Sequence, residues 1–501
     1  MDVVAGLAHG FAVAAQPLNL GWCFLGVLIG TAVGVLPGLG PPATIAMLLP
    51  LTHGMAPASA IIMLAGIYYG AKYGGSTTAI LMNMPGESAS VITCLDGYQM
   101  ARKGRAGAAL GLAAIASFVA GTLGVVGLML LAPPLAKLSL AFSSPEYFAL
   151  MAFGLSMVVL LAGASLVKAL LSMLVGLWIA GMGTDLFSAT SRFTFGRAEL
   201  LGGIDFTIVA IGVFAVGEVL RSVETSDAGQ LQAVPRGIRN LLPTRQDLKD
   251  SRFAFANGSI VGFLVGVLPG AGSTIASLLS YGIEKAVSKR PEAFGTGVPE
   301  GVVAPEGANN SETGGALVPL LTLGIPGSAT TAILLAALIL WGLRPGPLFI
   351  EEQPALFWGL VASMYIGNLM LLVLNLPLVP VFAQLLRIPA YALLPMILGV
   401  SLVGVITVSA TAFTGLLVAG FGLVGWLMRQ WDYPTAPLVL GLVLGDPMER
   451  ALRQSLMMSQ GDLSILVSRP VSATVLGTAA LVLLIPLARR MNAWRMRAVE
   501  S

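Results

Sequence analysis

The chain has 501 residues, of which 56% are hydrophobic and only 10% charged, with 61 glycines and a formal net charge of +3. A soluble protein carries about 25% charged residues, so an ordinary soluble enzyme and a disordered chain are excluded, and so is a nucleic-acid binder, which would show a basic stripe. The solvent expected for most of this surface is lipid.

Residues 1–16 place no Lys or Arg ahead of their apolar stretch, so no cleavable secretory signal is expected. Apolar stretches then recur at 20–36, 56–71, 106–132, 147–162, 166–183 and 204–220, and again at 253–268, 315–325, 330–343, 355–376, 391–408, 413–428, 435–445 and 475–487. These are continuous runs rather than alternating strands, which excludes a β-barrel. Several are too short to cross a bilayer alone and lie beside prolines. They read as broken or re-entrant helices, so an all-α polytopic membrane protein with roughly 10–13 membrane segments is expected. Residues 221–252 form the most charged linker, with Arg221, Arg236, Arg239, Arg245, Lys249 and Arg252. They divide a first half, 1–220, from a second, 253–501, which ends in one extra helix.

The halves resemble each other. Gly30, Gly34, Pro37, Gly38 and Gly40 recur in order as Gly262, Gly266, Pro269, Gly270 and Gly272, at an offset of 232 residues. Gly74, Pro85 and Gly86 recur as Gly315, Pro326 and Gly327. Loop charge sets the expected orientation, because Lys and Arg gather on the cytoplasmic side. In the first half residues 52–57 lack basic residues, while Arg102, Lys103 and Arg105 cluster in the next loop. In the second half Lys285, Lys289 and Arg290 lie in the first loop, and Arg344 stands alone against Glu351 and Glu352 in the second. This swap predicts two inverted-topology repeats. It places the linker and Arg489, Arg490, Arg495 and Arg497 in the cytoplasm. Arg450, Arg453 and Arg469 fit that path less well, since it puts them outside.

The Pro-Gly breaks are the candidate site. Unsatisfied backbone survives at membrane depth only inside protein or beside a water-filled cavity. A half-helix N-terminus offers free N–H groups and partial positive charge, which suits a carboxylate. Backbone at Gly38, Gly40, Gly86, Gly270, Gly272 and Gly327, and side chains of Asn83, Ser88, Ser273, Thr274, Ser328, Thr330 and Thr331, are therefore expected to hold substrate. Helix ends also present carbonyls that can ligate Na⁺, so Gly38, Gly270 and Pro326, with Asn309, Asn310 and Thr313, are candidate Na⁺ ligands. Lys72 lies between apolar runs, and a mid-membrane cation faces a cavity or a partner. It attracts an anionic substrate, snorkels, or pairs with Glu312 or Glu87. Cys23 and Cys94 are too few for a disulfide framework, and His9 and His53 have no second ligand at metal spacing.

At these motifs the sequence resembles the large membrane subunit of tripartite tricarboxylate transporters, the TctA family. The resemblance rests on the twice-present Gly-x3-Gly-Val-Leu-Pro-Gly-x-Gly element ending at Gly40 and Gly272, on the stretch from Tyr69 to Glu87, and on that from Pro305 to Gly315. It implies secondary import of a tricarboxylate or related organic acid across the bacterial inner membrane, coupled to Na⁺ or H⁺, without another cofactor. It also implies two partners, a small membrane subunit of about four helices and a periplasmic solute-binding protein. A polytopic membrane enzyme would need paired acids or a nucleophile–base pair, which the sequence does not display. A continuous channel is the other alternative.

Overall fold

The computed structural model describes residues 3–36, 40–52, 54–156, 165–185, 187–224, 237, 240–386, 395, 398–399 and 411–484. Among them the only strands are a two-residue antiparallel pair, Gly183–Thr184 against Ser191–Arg192. Everything else of regular structure is helical, as the apolar runs predict. Gly38, Pro37, the expected span at 391–408 apart from three residues, most of the 225–239 linker and the four C-terminal arginines lie outside the described residues.

The first half runs α1 (Val3–Ala14), α2 (Pro17–Val35), α3 (Pro41–Leu48), α4 (Pro57–Met82), α5 (Val91–Met100), α6 (Ala106–Ser139), α7 (Ser144–Ser156), α8 (Leu166–Ala180), α9 (Phe206–Ala210) and α10 (Gly217–Glu224). The second runs α11 (Arg245–Asp250), α12 (Arg252–Val267), α13 (Gly272–Val287), α14 (Glu300–Leu323), α15 (Ala329–Leu340), α16 (Phe349–Glu352), α17 (Pro354–Asn375), α18 (Val379–Leu385), α19 (Ala412–Gln430), α20 (Thr435–Met458), α21 (Ile465–Ser468) and α22 (Pro470–Leu484). By length and composition, α2, the run Ser88–Ser139, α17 and α19 are each able to cross a membrane.

Two helices differ from the sequence expectation, for one physical reason. The apolar run at 56–71 continues as α4 through Lys72 to Met82, and the run at 315–325 is the end of α14, which starts at Glu300. Almost every residue of both is buried in protein. Their Gly, Ser, Thr, Asn and Glu side chains lower the apolar signal that lipid contact would require. Facing helices supply partners for part of them, as in the bonds of Lys72 with Glu312 and of Asn310 with Ser117, which is how polar groups are kept at membrane depth. A third difference is α1, which lies before the first expected span. It packs on α17, with Gly6 and Gly10 against Trp358.

The sequence repeat recurs as a repeat of contacts. A Cβ on Gly30 would stand 2.6 Å from the carbonyl oxygen of Ile67, and one on Gly258 would stand 2.7 Å from that of Ala304. Gly26 and Gly34 are still closer to the carbonyls of Met63 and Ala71, as are Gly262 and Gly266 to those of Ala308 and Glu312. From across the seam, Gly74 abuts the carbonyl of Thr31, and Gly315 that of Phe263. Each pair of helices, α2 with α4 and α12 with α14, thus meets backbone to backbone along small residues, as membrane helices do where dispersion must hold them together.

The two central helices pass each other in opposite directions. Going up the first half, Tyr68 meets Glu312, Lys72 meets Asn309 and Glu312, and then, beyond the second break, Thr93 meets Glu306 and Asp96 meets Gly301. Asp96 also accepts hydrogen bonds from Tyr281 and from the backbone N–H groups of Gly295, Gly297 and Val298, which ties α5 to the loop before α14.

Candidate functional site

Each half is broken twice, and the breaks have local causes. α4 ends at Asn83 and α14 at Gly324, both left-handed, with φ of 57° and 70°. That conformation is the common helix stop, and Gly or Asn fills it at least cost. Asn83 and Gly324 are equivalent in the repeat, each two residues before a Pro-Gly. Asn83 is exposed at the helix end, so a capping role accounts for its residue type. The other break leads into α3 and α13. α3 opens on Pro41 and Pro42, which lack N–H groups and so remove two of the four free donors of a helix start. α13 opens on Gly272 (φ 67°) after Gly270 (φ 82°), with Ser273 and Thr274 next. The second-half terminus is therefore the richer in donors.

Within each half the two breaks abut. The N–H of Gly270 donates to the carbonyl of Gly327 at 2.8 Å. In the first half Gly86 lies against the carbonyl of Gly34 and the backbone of Gly75, close enough that no Cβ would fit. Between halves the helices after the breaks exchange partners. α3 packs on α15, while α13 packs on the turn Ser88–Ser90 and on α5. There the Thr274 hydroxyl donates to that of Ser88 at 3.1 Å, both exposed. Ser328 and Thr331 form a capping box at the start of α15: the N–H of Thr331 donates to the Ser328 hydroxyl, and the N–H of Ser328 donates to that of Thr331. Thr331 is fully buried and Thr330 nearly so, while Ser328 is half-buried.

A charge centre lies between the crossing helices. Lys72 is 1% exposed; its ammonium contacts Glu312 Oε2 at 2.5 Å, donates to the carbonyl of Asn309 at 2.7 Å, and sits 4.7 Å from the centroid of the Tyr68 ring. The Tyr68 hydroxyl donates to the same Glu312 oxygen at 3.1 Å. Asn309 donates from Nδ2 to Glu87 Oε1 at 2.6 Å, and Asn310 donates to the Ser117 hydroxyl at 2.7 Å and to the carbonyl of Glu306 at 3.0 Å. Thr93 donates to Glu306. Of the readings open for Lys72, the ion pair with Glu312 is the one found.

The structure thus brings together Gly270 with Gly327, Ser88 with Thr274, and Lys72 with Asn309. It leaves Asn83 at an exposed cap and commits the Thr331 hydroxyl to its own helix end. Glu306 escaped the sequence reading. A carboxylate inside a spanning helix signals function, but that signal depends on reading 300–314 as helix. Cys23 and Cys94 are buried free thiols. Among the described residues no group of three or more His, Cys, Asp and Glu side chains is placed to hold a metal.

Residues 20–440 match the tripartite tricarboxylate transporter TctA family. The chain belongs to the TctA family. It is also similar to an uncharacterized 52.8 kDa protein in the TAR-I ttuC′ 3′ region of Agrobacterium vitis, 47% identical over 476 residues that cover 95% of this chain and 94% of that one. A second uncharacterized protein, in the TAR-II ttuC′ 3′ region of the same organism, is 44% identical over 216 residues, covering 43% of this chain and 89% of the other. No solved structure matches it. As a TctA-family member this chain is a membrane subunit of a tripartite tricarboxylate transporter, which works with further subunits. The matched region takes in the described parts of all four breaks and every residue of the charge centre.

Proposed function

We propose that the chain imports a carboxylate, a tricarboxylate or related organic acid, across the bacterial inner membrane by alternating access about the four Pro-Gly breaks. Movement is coupled to Na⁺ or H⁺. One observation carries the reading: the breaks abut within each half and exchange partners between halves, so free backbone and hydroxyls from both halves gather where the central helices cross. Ser273, Thr274 and Ser88 are the side chains best placed to meet substrate carboxylates, since they are accessible and sit at the donor-rich start of α13. Gly86, Gly270 and Gly272 supply backbone at which a Cβ would clash or be strained, Gly40 and Gly327 supply further backbone, and Thr330 and Ser328 line the start of α15.

The two repeats are taken to have inverted topology. The opposite directions of α4 and α14 support this, because a two-fold axis in the membrane plane reverses equivalent helices, whereas an axis along the normal keeps them parallel. The arginines that fit the loop-charge rule poorly have carboxylate partners: Arg450 with Asp446, Arg453 with Asp185 and Glu449, and Arg469 with Glu146. Pairing weakens their preference for the cytoplasm and reconciles them with an outside location. The linker and the C-terminus lie in the cytoplasm in this arrangement. A periplasmic solute-binding protein delivers substrate to the opposite face, and a small membrane subunit of about four helices completes the complex.

The test is carboxylate uptake into proteoliposomes holding the complete complex. Accumulation under an imposed Na⁺ or proton gradient is expected. Absence of uptake under both, with all three subunits present and folded, would sink the proposal.

A further inference from the structure

Two seams lead away from the breaks. α5 and α13 run together from the Ser88–Thr274 contact toward the basic loops at 102–105 and 285–290, and α15 and α3 pack as their counterparts in the repeat. Basic loops mark the cytoplasmic side. The first seam therefore leads from the breaks to the cytoplasm, and in the inverted arrangement the second leads outward.

The first seam is fastened by one carboxylate. Asp96 on α5, at 0% exposure, accepts from the Tyr281 hydroxyl on α13 at 2.9 Å and from the N–H groups of Gly295, Gly297 and Val298 at 2.9, 2.7 and 2.9 Å. Backbone N–H groups turned toward one point form a nest for an anion, and left-handed Gly295 (φ 88°) and Gly297 (φ 106°) shape this one. The carboxylate also leaves no room for a Cβ on Gly301, at the start of α14. The loop buries little else: of residues 291–298 only Phe294 is buried, edge to face with the Tyr281 ring at 5.4 Å. The second seam has no such fastening. By the alignment that superposes Gly74 on Gly315, Asp96 corresponds to Ala337, and α15 carries no polar side chain beyond Thr331. Its far end, at Ala336, Ile339 and Leu340, borders a cavity of about 760 Å³ that reaches exposed Leu201, Asp205 and Arg450.

We propose that Asp96 is the latch of the cytoplasmic gate. This conformer is fastened on the inner side only, and withdrawal of the carboxylate from its nest frees α5 from α13 and from the loop before α14, so that cargo leaves between them. Asp96 acts by position, since four donors already surround its carboxylate. The role as a gate rests on the alternating-access reading; the clasp as a contact that opens does not.

Cys94 reports on the latch. It is buried on α5, two residues before Asp96 and within electrostatic reach of Glu306 on α14, and with Cys23→Ala it is the only thiol in the chain. The measurement is its rate of labelling by a membrane-impermeant maleimide in inside-out and right-side-out vesicles, read on the full chain after quenching and purification. Opening ahead of labelling makes the rate proportional to the open fraction, and one hydrogen bond lost corresponds to about tenfold. From the inner face, Tyr281→Phe is expected to speed labelling about tenfold and Asp96→Ala roughly a hundredfold or more. From the outer face neither variant changes it. Glu146→Gln, which breaks a pair with Arg469 away from the seam, is expected to leave the rate unchanged. If Asp96→Ala does not elute as a folded species, Tyr281→Phe, which keeps the ring beside Phe294, carries the comparison. Equal labelling of wild type and both variants would overturn the latch, and so would a rise shared by Glu146→Gln, the mark of general loosening. Uptake by the wild-type complex with no labelling response would remove the latch and leave transport standing. A labelling response without uptake under either gradient would support the latch and remove the transport reading.

Discussion

Replacing Lys72 with Met tests whether the ion pair at the crossing holds the halves together. In the folded chain the Lys72 ammonium has Glu312 at 2.5 Å and the carbonyl of Asn309 at 2.7 Å, and both charged side chains are 1% exposed. Lys72→Met would leave Glu312 buried with only the Tyr68 hydroxyl as donor. Removing one partner of a buried pair costs about 3–5 kcal/mol, because the remaining charge is uncompensated. Replacing both with apolar residues of similar volume removes that charge as well and is often near neutral. The single variants Lys72→Met and Glu312→Met are therefore each expected to lose about 3–5 kcal/mol, and the double variant is expected to be more stable than either. Unfolding in mixed micelles, followed by tryptophan fluorescence, gives the four stabilities of a double-mutant cycle. The reasoning is refuted if Lys72→Met alone matches wild type, or if the double variant loses the sum of the two single losses.

Four other outcomes follow from the same structure. Gly30→Ala forces a Cβ to within 2.6 Å of the Ile67 carbonyl and should abolish a monodisperse species on gel filtration, whereas Gly282→Ala, with open space around it, should elute as wild type. The double substitution Ser273→Ala with Thr274→Ala should lower uptake while leaving membrane expression intact, by about tenfold or more if each hydroxyl meets a carboxylate; unchanged transport would exclude these hydroxyls from the site. Cysteines placed at Lys103 and at Glu351 should label from opposite faces of right-side-out vesicles, and labelling from one face would refute inversion. The Ser188 hydroxyl, the Phe187 N–H and Arg453 together hold the Asp185 carboxyl well below the usual carboxylate range. A depressed folded value gives stability that is present above the unfolded pKa and lost as pH falls through the folded one. Hydrogen exchange in the 183–192 loop, taken as the ratio to the intrinsic rate at each pH, should therefore stay constant from neutral pH down through the ordinary carboxylate range and rise only in stronger acid. A rise between neutrality and that range would show that Asp185 is not held in this way.

The residues that could be read from the sequence are those whose signal is local. Pro-Gly pairs announce breaks wherever they occur, since proline lacks a donor and glycine tolerates unwound backbone. Lys72 stood out because a cation among apolar runs must find a partner, and Glu312 was among the partners available. α14 was hidden by its own composition. Pro305, Gly307, Asn309, Asn310, Gly314 and Gly315 are loop-forming types, and only contact with α4, α6 and α12 makes a helix of them. The glycine spacing of four residues was visible in α2 and α12, but nothing in one strip of sequence says which carbonyl each glycine faces. Asn83 shows how one residue type can carry two reasons. Its amide suggests a ligand, whereas its left-handed backbone supplies a sufficient reason for an asparagine where the second half has Gly324.

The pairing at the crossing also makes the two halves unequal. By the alignment that superposes Gly74 on Gly315, Lys72 corresponds to Thr313 and Glu312 to Ala71. The cation and the anion of one bond thus occupy neighbouring repeat positions, each present in a single copy. Neither half, set against a copy of itself, would carry both partners, so this bond recognises the other half and not its own kind.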